Sequence, residues 1–289
     1  MGAMENQRAE KGDSSGDLGI SRISSSAYIT PNEIRNESFF KWLKNAFCPN
    51  FKISSIIFII ICLDFIIYVI SLAFGIKRTP NELLAPTFET LDLFGMKYPS
   101  KIYRGQIYRL VLFGLLHANL VHLVSNLISQ IILGSIIEGL IGNKKAGLLY
   151  LLSNICGGLF SCVMSFSPGV GASVAIFGIL GGYFGFTVIN WNTIKNNMNY
   201  LVNFLFIIII VVMNASYGLG SDIIDNYGHF GGLIYGFLFT FLLIEPKNGN
   251  DNSLWLSFDV WKKYATIAVI ASLILLSLIF WIFEKPNIV

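Results

Sequence analysis

Long runs of apolar residues, each about the length that crosses a hydrocarbon core ~30 Å thick, leave this chain few ways to fold. Seven spans are expected: Ile53–Phe74, Asn119–Ile141, Ala146–Phe166, Ser173–Asn190, Tyr200–Ala215, Gly228–Ile244 and Tyr264–Phe283. In lipid, backbone N–H and C=O groups must be paired within the chain, so runs of this length read as α-helices. Charged residues make up only 13% of the 289 residues, against 54% hydrophobic; soluble domains carry about a quarter charged. The expected fold is an all-α polytopic membrane protein.

The stretch Leu110–Ile141 is too long for one upright span. Its first part is therefore grouped with Lys77 to Arg109 in a large first loop lying at the membrane surface. Residues 1–50 are polar and lack the start of a cleaved signal peptide, so they read as a largely disordered cytosolic tail. In that tail Phe39, Phe40 and Trp42 are placed to rest on the bilayer. A six-helix body over 51–245 is expected, then a polar linker at 246–263 and an appended helix with a short tail at 264–289. With the N-terminus in the cytosol, inside loops hold ten Lys or Arg and outside loops seven, six of those in the first loop. Positive charge favours the inside, which gives this orientation. The net charge of +3 is small and sits beside apolar segments, so nucleic acid is not expected as a partner. The four cysteines have no paired or metal-like spacing, and no disulfide framework is expected.

Polar groups inside a span are costly, and each is a functional candidate. All three histidines, His117, His122 and His229, fall at or inside span starts. Asn126 lies one turn after His122 on the same face. Ser173 stands in the glycine-rich turn GVGASVAIFG, and His229 in YGHFGGLIYG. Spans two, four and six run in one direction, so their first turns share one depth near the outer face. Ser173, His229, His122 and Asn126 can meet there, and a serine beside a histidine is the minimum for an activated nucleophile. Gly178 with Gly182, and Gly232 with Gly236, form small-xxx-small pairs that allow the required close approach. Read singly, each residue has an ordinary explanation as a cap, a packing group or helix glue. The spacing alone leaves catalysis and packing both open.

Several motifs together resemble the rhomboid family of intramembrane serine proteases. HANLVHLVSN, with His117, His122 and Asn126, is similar to that family's second-helix signature. GASVAIFG, with Gly171 and Ser173, resembles its G-x-S nucleophile motif, and GHFGGLIYG its sixth-helix motif. Tyr108-Arg109 sits where the family's first loop carries Trp-Arg, and Gly134, Glu138 and Gly142 match a G-xxx-E-xxx-G pattern. The match runs over about residues 102–245. The resemblance implies a six-helix core plus one C-terminal helix (6+1), a Ser173–His229 dyad and no cofactor or metal. It further implies an oxyanion site of the Ser173 N–H, His122 and Asn126, and Phe177 packed on His229. His117 would tie the first loop to helix two, with Glu138 hydrogen-bonded near the cytosolic end. Val174 stands where Gly is common, and is expected to crowd the oxyanion site or narrow the pocket.

The implied activity is endopeptidase cleavage of single-span proteins in or near their transmembrane segment. A lateral gate at span five is a further expectation. The alternative is a non-catalytic rhomboid-like binding or chaperone protein. A metal-dependent membrane hydrolase finds no H-E-x-x-H to support it. Abundant Ile, Asn, Lys and Phe point to an AT-rich genome, and with the appended helix the chain looks like apicomplexan, Plasmodium-type rhomboids. That likeness implies surface adhesins as substrates and residence in the plasma membrane or a secretory organelle.

Overall fold

The computed structural model describes residues 52–77, 83–195, 208, 225–246 and 257–282. The N-terminal tail, all but one residue of the expected span five, and most of the 246–263 linker lie outside these residues.

The first span is α1, Ile56–Phe74, capped by the Ser55 hydroxyl, which accepts from the Phe58 N–H at 2.9 Å. The first loop then folds into short pieces. A two-residue antiparallel pair, β1 (Ile76–Lys77) with β2 (Ala85–Pro86), is an exception to the all-helix expectation. Helices α2 (Phe88–Leu93), α3 (Pro99–Tyr103) and α4 (Arg109–Leu112) follow, with a 3-10 turn at Phe113–Leu115. The chain breaks at Leu116 and restarts at Asn119, whose side chain caps α5 (Leu120–Ile141). Arg109 fastens the loop: it donates to the Met96 carbonyl at 2.9 Å and to Gln106 at 2.7 Å, and pairs with Asp92 at 3.1 Å.

A tight reversal at Gly142 (φ +85°), a conformation that favours glycine, leads from α5 into α6 (Asn143–Met164). Then come α7 (Ser173–Ile189), the short α8 (Trp191–Ile194), α9 (Asn226–Leu243) and α10 (Phe258–Ile282). Helix α10 begins six residues before the expected Tyr264, inside the segment read as linker. The pair Trp261 and Lys262 disguised that start: the indole packs on Phe241 and the lysine ammonium lies over the Phe258 ring. Among the described residues, four helices are long and apolar enough to cross a membrane: α1, α5, α6 and α10; α7 is a shorter apolar helix. Together with the apolar side chains that α1 and α10 expose, such as Phe65, Ile66, Ile270 and Leu275, they mark an integral membrane protein.

Buried polar side chains tie the helices of the bundle to one another. Gln130, in a π-turn of α5, donates at 2.8 Å to both Asp64 of α1 and Tyr150 of α6. Glu138 accepts from the Ile57 N–H at 3.0 Å, supplying a partner at the open end of α1. Asn154 of α6 donates to the Leu110 carbonyl at 2.9 Å and so holds the first loop.

Gly232 and Gly236 act as their spacing predicts, whereas Gly178 and Gly182 make room for Ser153 and Leu149 of α6, and Gly181 faces α9 in their place. A Cβ at Gly236 would enter the Gly178 backbone, one at Gly232 the Val174 carbonyl, and one at Gly181 the Leu233 carbonyl. Helices α7 and α9 therefore touch backbone to backbone. Gly236→Val should force them apart and lose about 1–3 kcal/mol, typical of overpacking. Ile270→Val on the exposed face of α10 should leave stability unchanged. Thermal unfolding in detergent micelles checks both, and an unaltered midpoint for Gly236→Val would contradict the contact.

Candidate active site

Ser173 is the first residue of α7, and His229 lies in the first turns of α9. The glycine contact brings these helix starts together, and Ser173 Oγ stands 2.7 Å from His229 Nε2. With Oγ as donor, Nε2 accepts and Nδ1 carries the ring hydrogen. Phe177, one turn along α7, stacks on the imidazole at 4.5 Å between centroids and 7° between planes. That stacking limits rotation of the ring away from Ser173.

Gly171 explains the G-x-S spacing. Its φ is +126°, and a Cβ there would lie 2.6 Å from His122 Cε1, 2.8 Å from His122 Nε2 and 3.5 Å from Ser173 Oγ. Only glycine both adopts this backbone and keeps open the space between His122 and the serine. Asn119 accepts from the His122 N–H at 2.9 Å, which places the imidazole in the first turn of α5. His122 Nδ1 accepts from the Ala118 N–H at 3.4 Å, so a neutral ring carries its hydrogen on Nε2, the atom facing Gly171. Asn126, buried one turn further on, donates from Nδ2 to the His122 carbonyl at 3.0 Å. That bond uses one of its two amide hydrogens. His117 is buried with its ring edge-on to His122 at 5.3 Å.

Val174 does not sit where the sequence suggested. A Cβ at Gly157 would stand 2.6 Å from Val174 Cγ1, and one at Gly228 2.8 Å from its Cγ2. The side chain fills a notch between α6 and α9, and those two glycines make room for it. The expected crowding of the oxyanion site is therefore corrected: a helix turns about 100° per residue, which sends the residue after Ser173 to another face.

The residues that sequence reasoning passed over form a charged cluster behind the histidine. Lys97, from the first loop, pairs with Asp225 at 2.6 Å and is hydrogen-bonded to Ser161 of α6; Ser161 also bonds Asp225. Asp225 stands at the cap position just ahead of α9. The available signal was a lysine followed far along the chain by an acid just ahead of a glycine-rich helix, which local periodicity cannot pair.

The described helices thus join a serine and a histidine at neighbouring helix starts inside an apolar bundle. Residues 104–246 match the Rhomboid domain model. The chain is 32% identical over 227 residues to Rhomboid-like protease 1 of Toxoplasma gondii, covering 78% of this chain and 74% of that protein. It is 31% identical over 242 residues to Rhomboid-like protease 2 of the same organism, covering 83% and 81%. RHOMBOID-like protein 7 of Arabidopsis thaliana is 33% identical over 205 residues, 67% of this chain and 64% of that protein's length. The chain belongs to the rhomboid family.

Gly171→Ala should push the His122 ring aside and strain the turn before Ser173. Labelling of Ser173 by a fluorophosphonate is expected to fall on the order of 100-fold, the loss typical of a disturbed oxyanion donor. Mass-spectrometric labelling kinetics read this directly; an unchanged rate would contradict the crowding at Gly171.

Proposed function

We propose that this protein is an intramembrane serine endopeptidase that cuts single-span membrane proteins within or near their transmembrane segment. The observation that carries the reading is the 2.7 Å contact of Ser173 Oγ with His229 Nε2 inside an apolar helix bundle. His229 takes the proton as Ser173 Oγ attacks the scissile carbonyl, then returns it to the departing amine. The acyl-enzyme is released by water, activated by the same imidazole. The oxyanion is held by the Ser173 N–H, an unpaired donor at the start of α7, with His122 Nε2 and the second Asn126 N–H. Phe177 keeps the imidazole in plane for both transfers. Water reaches the dyad from the end of the bundle where α5, α7 and α9 begin.

The wider reading is a 6+1 rhomboid core with its N-terminus in the cytosol and its active site opening outward. Similarity to two Toxoplasma rhomboid-like proteases, together with the AT-rich composition, supports an apicomplexan setting. There, surface adhesins in the plasma membrane or a secretory organelle are the proposed substrates.

Incubation with a panel of tagged single-span proteins, followed by mass mapping of the cut, is the test. Wild type should release a defined fragment and Ser173→Ala none. A panel with no serine-dependent product sinks the protease reading and favours a non-catalytic binder. His122→Ala and Asn126→Ala should each slow cleavage ~100- to 1,000-fold with little change in substrate binding, as expected for donors engaged in the transition state.

A further inference from the structure

Charges buried in a membrane bundle persist only when paired, and they commonly mark function. Lys97 and Asp225 are such a pair, 128 residues apart in sequence, with side chains 1% and 5% exposed. Each is attached to one half of the candidate dyad. The Lys97 backbone pairs with Gly169 in both directions, N–H to carbonyl at 3.0 Å and carbonyl from N–H at 2.9 Å. Gly169 begins the turn that runs through Gly171 to Ser173, and the Gly171 N–H is held in turn by the Phe113 carbonyl at 3.0 Å. On the other side, Asp225 caps α9: its Oδ1 accepts from the Gly228 N–H at 2.8 Å, and its carbonyl accepts from the His229 N–H at 2.9 Å. Ser161 of α6 bonds both partners and closes the cluster. Gly169 leaves room for it, since a Cβ there would stand 3.2 Å from Lys97 Cε and 3.3 Å from Asp225 Cβ.

We infer that Lys97 and Asp225, clasped with Ser161, are positioning residues that set the separation of Ser173 and His229. One residue of the first loop grips the serine turn through its backbone and the histidine helix through its ammonium group. Neither side chain touches reacting atoms. This gives the first loop a task in the chemistry: its displacement would release both halves of the dyad together.

The inference rests on the serine-protease reading, so the test uses a probe that needs no substrate. Full-length protein in detergent micelles is titrated with a fluorophosphonate, and the maximal inactivation rate and the half-saturating probe concentration are measured separately. Lys97→Met should lower the maximal rate by about 100-fold, as small misplacements of reacting groups do, with half-saturation unchanged. Lys97→Met combined with Asp225→Asn should regain much of that rate, because the neutral pair leaves no lone buried charge and asparagine still caps α9. Melting midpoints are recorded for each variant. If Lys97→Met does not fold, Ser161→Ala takes its place: it leaves both charges paired and is expected to lower the maximal rate while the midpoint holds. Wild-type rates in the single variants, or a Lys97→Met defect that Asp225→Asn does not relieve, overturn the inference. No labelling of Ser173 in wild type would instead overturn the protease reading beneath it.

Discussion

Helices α7 and α9 meet through glycine, and nearly everything else in the protein depends on how close that lets them come. Large side chains keep helix axes 8–10 Å apart; here the Gly178 and Gly236 backbones are in contact. Only at such range can a side chain as short as serine reach an imidazole on the neighbouring helix. In lipid there is no hydrophobic drive to squeeze helices together, so close packing of this kind is itself a main source of adhesion. The same contact thus holds the bundle and sets the distance that matters chemically.

Around that contact, the polar groups divide the bundle into two ends. At one end lie the helix starts of α5, α7 and α9 with His122, Asn126, Ser173 and His229. At the other, Glu138 satisfies the start of α1, and Gly142 turns the chain into α6. Between them Gln130 links three helices through Asp64 and Tyr150. A buried amide with carboxyl and phenol partners in a low-dielectric interior is costly to pull apart. It pins the register of α1, α5 and α6 far from the serine.

The sequence made some of this legible and hid the rest for identifiable reasons. Helices α1, α5, α6, α7 and α9 fall within a few residues of their expected ranges, because run length and hydropathy are local properties. Ser173 and His229 could be placed at one depth from the pattern, since each opens an apolar span beside glycines, while their pairing as a dyad was implied by the family resemblance. The Lys97–Asp225 pair could not, because no local pattern joins a surface-loop lysine to an acid 128 residues away. Val174 was read as an obstruction because its identity is visible in sequence but its direction is not. The complementary glycines at 157 and 228 come from two other helices. The start of α10 was missed because an aromatic and a lysine at an interface look like linker to a hydropathy scale, though both suit a helix end at a membrane surface.

Helix α10 packs along α9 and α6. It reaches from Trp261 against Phe241 to Phe280, which lies 4.6 Å from the Tyr103 ring in the first loop. Midway, Tyr235 of α9 donates to Ser272 at 3.0 Å. Helix α10 is therefore fastened at both ends and in the middle, by an indole, a phenol hydroxyl and a ring contact with the first loop. A helix held at three heights cannot tilt or slide along α9 without breaking one of them, so it acts as a splint on the side of the helix that carries His229.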